Sequence, residues 1–164
     1  MKRAALVFDI IIIIVLLASC SVNRTLNSGT KKIAGNWQLQ TVVSEGITGT
    51  ASIQQFNEAD FQCFIGSNWK LGKDNTGSYS ISEASGAIPC TAANRNIRWM
   101  LFASADGERL FRFKRLDSAG KDVDPNTSGN ILSVVNLTAD SMQLRSDITY
   151  NNKPAALIFK FIKM

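Results

Sequence analysis

The residue types that carry most acid–base and nucleophilic chemistry are sparse in this sequence. Its 164 residues include no histidine, three cysteines, and 13 acidic residues against 18 basic ones. Without an imidazole, the chain has no Ser-His-Asp triad, no Cys-His pair and no histidine metal ligand. Carboxylates, lysines and thiols therefore remain as the groups whose positions matter.

Two pairs of neighbouring acids are the remaining candidates for hydrolytic or metal chemistry. Glu58 and Asp60 resemble a hydrolytic carboxylate pair only in spacing, and we interpret them as loop residues. Asp122 and Asp124 begin like a calcium loop, but threonine and serine occupy the sixth and twelfth positions, where calcium needs glycine and a carboxylate. We therefore predict a solvated loop there, and no catalytic residue, metal site or cofactor.

Cys20 is the thiol with the clearest predicted chemistry. A basic start precedes an apolar segment, residues 4–18, which is interrupted only by Asp9 and is shorter than the roughly 20 residues of a spanning helix. Leu17-Ala18-Ser19-Cys20 follows directly and resembles the lipobox of bacterial lipoprotein signals, in which the cysteine thiol accepts a diacylglycerol. A buried or free Cys20 is the alternative. We expect residues 1–19 to be a cleaved signal peptide and Cys20 to be lipidated.

The segment after Cys20 is polar and has no apolar period, so we predict a flexible tether over residues 20–32. Loss of the signal peptide lowers the net charge from +5 to +4. A basic chain in this compartment suits an anionic membrane surface better than nucleic acid. The resemblance to lipoprotein signals implies that acidic residues soon after the cysteine would favour surface export, and residues 21–25 include none. The expected location is the outer membrane, facing the periplasm.

The other two cysteines, Cys63 and Cys90, form a natural disulfide pair in an oxidising compartment. The bridge would close a loop of about 28 residues and stabilise the fold by about 3 kcal/mol. Two separate thiols, or a metal or redox site, are the alternatives. No CxxC motif accompanies them.

Short alternating runs separated by Gly, Asn, Asp and Ser clusters predict an all-β domain over residues 33–164. The turn residues Asp74–Gly77, Asp106–Gly107, Thr138–Ser141 and Asn151–Pro154 favour consecutive hairpins. We predict nine strands: Gly35–Val43, Ala51–Phe56, Phe64–Gly72, Gly77–Ser82, Ile97–Ala103, Arg109–Leu116, Ile131–Leu137, Met142–Tyr150 and Ala155–Ile162.

The alternation also predicts which side chains share a face of the sheet. Phe111 and Phe113 lie on one side of their strand, and Trp99 shares a side with Ile97 and Leu101 in the strand before it. We interpret the basic residues of the Phe111 strand as a solvated outer face, with a patch for anionic head groups or an acidic partner as the alternative: Arg109, Arg112, Lys114 and Arg115.

Four short motifs carry a resemblance to a known family: Gly35-Asn36-Trp37, Asn68-Trp69-Lys70-Leu71, the turn Asp74–Gly77 leading into Tyr79, and the hairpin Leu137–Leu144. Together they resemble the lipocalin-like proteins of Bacteroidota-type lipoproteins, over residues 33–164. The resemblance implies an antiparallel up-and-down barrel of about eight strands. It also implies that Trp37 closes one end of the barrel. In the family, an arginine of the last strand usually covers this tryptophan. The last strand of this chain has Lys160 and Lys163 instead, and Arg145 is a more distant substitute.

The same resemblance implies a function. Family members bind small apolar molecules in the barrel mouth or have no known ligand, so we expect a small apolar or amphipathic ligand and no catalysis. The alternative is a filled barrel that docks an envelope protein or the membrane surface. The residues that we expect to contact a ligand are Trp69, Tyr79, Trp99, Phe111 and Phe113. For each of them, packing in the core is the alternative interpretation.

Overall fold

Alternating apolar and polar residues dominate the chain from Gly35 onward, and most of this part forms β-strands. The structure, a computed structural model, describes residues 32–85 and 88–164. Within these ranges no helical segment is both long enough and apolar enough to cross a bilayer. The predicted signal peptide, Cys20 and nearly all of the predicted tether lie outside the described residues.

The strands of the described residues are, in chain order, β1 (Gly35–Glu45), β2 (Gln54–Gln55), β3 (Ala59–Asp60), β4 (Asn68–Leu71), β5 (Thr76–Ile81), β6 (Ala84–Ser85), β7 (Pro89–Cys90), β8 (Ala93–Ala103), β9 (Arg109–Leu116), β10 (Asn130–Leu137), β11 (Ser141–Tyr150) and β12 (Lys153–Lys163). A short 3₁₀ helix, Phe61–Phe64, lies between β3 and β4.

Eight of these strands close into one barrel, in the order β1-β12-β11-β10-β9-β8-β5-β4. All neighbouring strands are antiparallel, and the barrel closes where β12 and β4 pair with opposite sides of β1. The hairpins β2–β3 and β6–β7 form separate two-stranded sheets. These pairings confirm the predicted all-β, antiparallel up-and-down barrel of about eight strands.

Tight turns between consecutive strands have the chemistry that the sequence predicts. Asn75 turns the chain between β4 and β5 with φ of 67°, and Asn151 and Asn152 join β11 to β12 with φ of 49° and 59°. Asparagine tolerates this left-handed backbone better than most residues do, and two such residues in succession suit the twist of a hairpin. The strands can therefore follow one another without long crossovers.

The inner wall of the barrel is apolar, as the alternation predicts. In β9, Phe111 and Phe113 are buried, while Arg112 and Lys114, which alternate with them, lie on the outer side. The buried side chains of β8 and β12 follow the same period of two; they are Ile97, Trp99, Leu101, Ala155, Leu157, Phe159 and Phe161, with Ala156 buried out of register. Because eight strands enclose a narrow interior, such side chains can fill it.

Trp37 lies at the end of the barrel where β1 begins. Its indole N–H donates to the Ile33 carbonyl at 2.7 Å, and both side chains are fully buried. The Lys163 ammonium is 5.2 Å from the Trp37 ring centroid, within cation–π range. A Cβ on Gly35 would come within 2.7 Å of Lys163 Cε, so glycine at this position leaves the room that the lysine needs to cover the tryptophan.

One predicted strand is wrong and another begins too early. The predicted strand Ala51–Phe56 is reduced to Gln54–Gln55, which pairs with β3 outside the barrel. The reason is local, since the Asp60 carboxylate binds the Ile53 backbone N–H at 2.7 Å and the chain turns back at Phe56. The predicted strand Phe64–Gly72 begins at Asn68 instead, because the residues before it form the 3₁₀ helix and a turn.

Candidate functional site

The segment between β1 and β4 carries a hairpin, residues 54–60, that we call the plug hairpin. It reverses direction at Phe56 and Asn57, whose φ angles are 56° and 52°, and the Glu58 N–H donates to the Gln55 carbonyl at 3.1 Å. Two successive positive φ angles are typical of a type I′ turn, which favours Asn, Asp or Gly. A phenylalanine in this conformation costs about 1–2 kcal/mol.

The Phe56 side chain lies inside the barrel, although the plug hairpin is not part of the barrel sheet. Its ring centroid is 5.0 Å from those of Phe64 and Phe113 and 5.4 Å from that of Phe159. These rings come from the 3₁₀ helix, β9 and β12, so Phe56 is held from several sides. A side chain from outside the barrel therefore fills one end of its interior, which we call the plug end.

The Glu58 carboxylate sits beside this ring cluster and is almost completely buried. It accepts a hydrogen bond from the Tyr79 hydroxyl at Oε2 and one from Arg95 Nε at Oε1, the latter at 2.6 Å. A second guanidinium, that of Arg115, lies 3.8 Å from Oε2 and 3.2 Å from the Asp124 carboxylate. One carboxylate thus faces two cations and a hydroxyl, in an environment where charge-assisted hydrogen bonds are strong.

Tyr79 is the buried hydroxyl of this group. Burial raises the pKa of Tyr79 far above its usual value of about 10, and the hydrogen bond to Glu58 raises it further. The phenol therefore stays protonated at neutral pH and acts as a donor to whatever acceptor occupies the position of the Glu58 carboxylate.

All five predicted ligand residues point into the barrel, and none is more than 4% exposed. Three of them gather at the plug end, where Trp69 stacks on Tyr79 at 4.5 Å and meets Phe113 edge-on at 5.3 Å. Trp99 and Phe111 lie deeper, 6.0 Å from one another, and the Phe111 ring is 6.1 Å from that of Phe113. The structure thus divides the predicted set into a group around Phe56 and a deeper pair.

The sequence pattern does not identify Phe56 as an inward side chain, and two charged residues are more buried than predicted. Glu58 lies in a turn, as the prediction of a loop residue requires, but its side chain is only 8% exposed. The prediction for Arg115 is wrong: its side chain is only 13% exposed and does not lie on the outer face of β9. The alternation in β9 does predict an inward Arg115 side chain, because Arg115 continues the inward series of Phe111 and Phe113. Arg112 and Lys114 are on the outer side as predicted.

The disulfide between Cys63 and Cys90 is present, which confirms that prediction. It ties the 3₁₀ helix that follows the plug hairpin to β7, in the long connection between β5 and β8. Beside it lies a cleft of about 210 Å³ that reaches Glu58 and Arg95. The bridge therefore fixes the base of the plug hairpin near its charged partners.

The other acids have partners of their own. Asp60 accepts hydrogen bonds from the backbone of Ile53 and Gln62, and so points away from the Glu58 carboxylate. Asp122 pairs with Arg98 at 2.7 Å and with Lys114 at 3.2 Å. In the part of the chain that the structure describes, no three acidic or thiol side chains are grouped as a metal site would require.

Two further clefts lie on the outer wall of the barrel. One of about 560 Å³ runs over β1, β4, β5 and β8 and is lined mainly by asparagine and serine side chains. The other, of about 390 Å³, lies between Met100, Arg112 and Lys114 on β8 and β9. Charged or amide side chains line both clefts together with apolar atoms, in contrast to the aromatic interior.

No protein-family model matches this sequence, and no curated protein matches it either. Among solved structures, the chain is similar to bovine odorant-binding protein in complex with a selenium-containing odorant, with a TM-score of 0.44, 13% identity, and coverage of 90% of this chain and 78% of that one. It is also similar to bovine odorant-binding protein with its natural ligand, with a TM-score of 0.42, 12% identity, and coverage of 89% and 77%. By its own strand order, the barrel has a lipocalin-like fold.

Proposed function

We propose that this protein is a non-catalytic, lipid-anchored protein of the bacterial cell envelope whose barrel binds a small amphipathic ligand at the plug end. The observation that carries the proposal is the position of Phe56. A ring from outside the barrel sheet, on a strained turn, occupies the apolar end of the interior.

The plug hairpin is suited to exchange with a ligand. Its two strands have two residues each and pair only with one another, so its retreat breaks no backbone hydrogen bond of the barrel sheet. Among the described residues it breaks only side-chain hydrogen bonds, those of Glu58 with Tyr79 and Arg95 and that of Gln55 with Ser146. Withdrawal of Phe56 would relieve the unfavourable backbone conformation and expose the faces of Phe64, Phe113 and Phe159 to an apolar group. A core built for stability alone would be filled from the strands, without a hairpin in a disfavoured turn.

The sequence supports the anchoring and the compartment. The lipobox that ends at Cys20 and the polar tether suit attachment to a membrane through acyl chains, and the disulfide suits an oxidising periplasm. We place the protein at the outer membrane, facing the periplasm. The lack of histidine supports a binding role rather than catalysis.

A neutral fluorescent probe, N-phenyl-1-naphthylamine, tests ligand binding. The mature chain would carry Cys20→Ser so that no lipid competes for the probe, and quenching of tryptophan emission would be followed during titration, because Trp69 lies beside Phe113 at the plug end. We expect saturable one-to-one binding, and a small molecule in solvent extracts of protein purified from envelopes. Absence of both results would refute the proposal.

The filled interior also favours a second candidate, a docking module that keeps Phe56 in place. Such a protein would use its outer wall, where the clefts of about 560 Å³ and 390 Å³ lie, to bind an envelope protein or the membrane surface. Under this function, N-phenyl-1-naphthylamine would not bind the wild-type chain. Substitutions on the outer wall, such as Arg112→Ala, would release the partner without changing the interior.

A further inference from the structure

The plug hairpin presents two kinds of group to the barrel at once. Phe56 places an aromatic ring among apolar rings, and Glu58, two residues later, places a carboxylate between Tyr79 and Arg95. We infer that the ligand is an amphiphile with an apolar body and one carboxylate head group, and that Glu58 occupies the position of that head group while the ligand is absent. This inference rests on the proposed function.

The donors match a planar carboxylate. The Tyr79 hydroxyl binds one oxygen of Glu58 and Arg95 Nε binds the other. Tyr79 and Arg95 are directly opposite one another in the pairing of β5 with β8, so both donors belong to the rigid barrel wall. The plug hairpin supplies only the acceptor, and the donors stay in place when it leaves.

Charge selects the head group. When Glu58 withdraws, Arg115 keeps its pair with Asp124 at 3.2 Å, whereas Arg95 keeps only a 3.4 Å contact with the Asn94 carbonyl. A neutral ligand would leave the Tyr79 hydroxyl buried without its acceptor, which is unfavourable, and would leave Arg95, whose side chain is 41% exposed, with water in place of a carboxylate. A ligand carboxylate restores both interactions. The cleft of about 210 Å³ beside the disulfide is lined by Glu58 and Arg95, and so reaches this position.

The test compares dodecanoate with dodecanol, which share an apolar chain and differ in the head group. Each would displace N-phenyl-1-naphthylamine from the mature chain, at concentrations below micelle formation. We expect dodecanoate to bind about tenfold or more tightly than dodecanol, the difference typical of a hydrogen bond to a charged group. Arg95→Gln should remove this preference, because it lowers the cost of displacing Glu58 for both ligands but takes the carboxylate's partner from dodecanoate alone.

Glu58→Gln provides an independent readout. It weakens the contact that either ligand must displace, so dodecanoate and dodecanol should both bind several-fold more tightly than to the wild type. Glu45→Gln is the matched control, because Glu45 forms its ion pair with Arg145 on the outer side of the barrel. Glu45→Gln should leave both affinities unchanged.

The outcomes separate the two proposals. If the probe binds but dodecanoate and dodecanol have equal affinities in the wild type, the carboxylate inference is overturned and the proposed function stands. If Glu58→Gln and Glu45→Gln alter dodecanoate binding equally, the role of Glu58 is overturned. If the probe does not bind and no small molecule is extracted with the protein, both proposals fail together.

Discussion

Arg95 on β8 donates from Nε to Oε1 of Glu58 at 2.6 Å, and so joins the barrel wall to the tip of the plug hairpin. Arg95 is opposite Tyr79 in the sheet, and the two side chains hold the same carboxylate. The charged contact and the buried Phe56 ring together keep the hairpin in the barrel. Changes to either group should therefore affect stability and ligand binding in opposite directions.

Phe56→Ala should lower stability and increase affinity for an apolar probe. Removing the ring leaves a cavity among Phe64, Phe113 and Phe159 and should reduce the free energy of unfolding by about 3 kcal/mol. The same cavity is open to N-phenyl-1-naphthylamine. Urea denaturation and probe titration measure the two effects on the same sample.

Phe102→Ala is the control for this experiment, because Phe102 lies beside Arg112 on the outer side of the barrel. It should change stability by at most about 1 kcal/mol, the size of an exposed cation–π contact, and leave probe affinity unaltered. A Phe56→Ala variant that loses stability without gaining probe affinity would show that the ring serves packing alone.

Asn57 tests the backbone conformation at the tip of the plug hairpin. Its φ of 52° suits glycine and is unfavourable for alanine. Asn57→Gly should be neutral or slightly stabilising, and Asn57→Ala should lower the free energy of unfolding by about 1 kcal/mol. Thermal and urea unfolding would measure the pair; equal effects of the two substitutions would contradict a left-handed turn.

The barrel was predictable because its strands repeat one simple pattern. Phe111 and Phe113 alternate with Arg112 and Lys114, and the period of two persists along β12. Turn residues such as Asn151 mark where one strand ends and the next begins. Alternation and turn chemistry are local properties, so a single sequence is sufficient to find them.

The plug hairpin was not predictable in the same way. Phe56 occupies a turn position that normally takes Asn or Gly, and its conformation is stabilised by rings from distant strands such as Phe159. The partners of Glu58 lie on β5 and β8 and meet it only in the folded barrel. Local rules describe a short alternating run that ends at Phe56, which is why a strand was predicted there.

Removal of the disulfide should destabilise the base of the plug hairpin. The double substitution Cys63→Ala and Cys90→Ala breaks the bridge between the 3₁₀ helix and β7, and should reduce the free energy of unfolding by about 3 kcal/mol. Urea denaturation of the variant and of the oxidised wild type measures the difference. Thiol titration of the denatured, unreduced mature chain should find no free thiol from this pair.

Lipidation of Cys20 has a direct chemical test. Cells expressing the full chain would be grown with an alkyne-labelled fatty acid, and the protein would then be examined by gel fluorescence. The wild type should incorporate the label and fractionate with membranes, and Cys20→Ala should do neither. Cys63→Ala is the control and should remain labelled. Label on the Cys20→Ala protein would contradict the lipobox interpretation.

Tyr79 predicts how stability responds to alkaline pH. Because burial and Glu58 raise its pKa in the folded state, the neutral phenol contributes stability that is complete below the ordinary tyrosine pKa of about 10 and declines as the pH rises above it. The wild type should therefore lose more stability than Tyr79→Phe between about pH 8 and about pH 11.

Two measurements follow this behaviour. Urea midpoints for both proteins at the two pH values give the difference in stability, and tyrosinate absorbance during an alkaline titration shows when the phenols ionise. Of the two tyrosines, the one at position 79 should ionise only as the barrel unfolds, so a step coincident with unfolding should be present in the wild type and absent from Tyr79→Phe. A Tyr79 that ionises in the folded barrel would contradict its burial against Glu58.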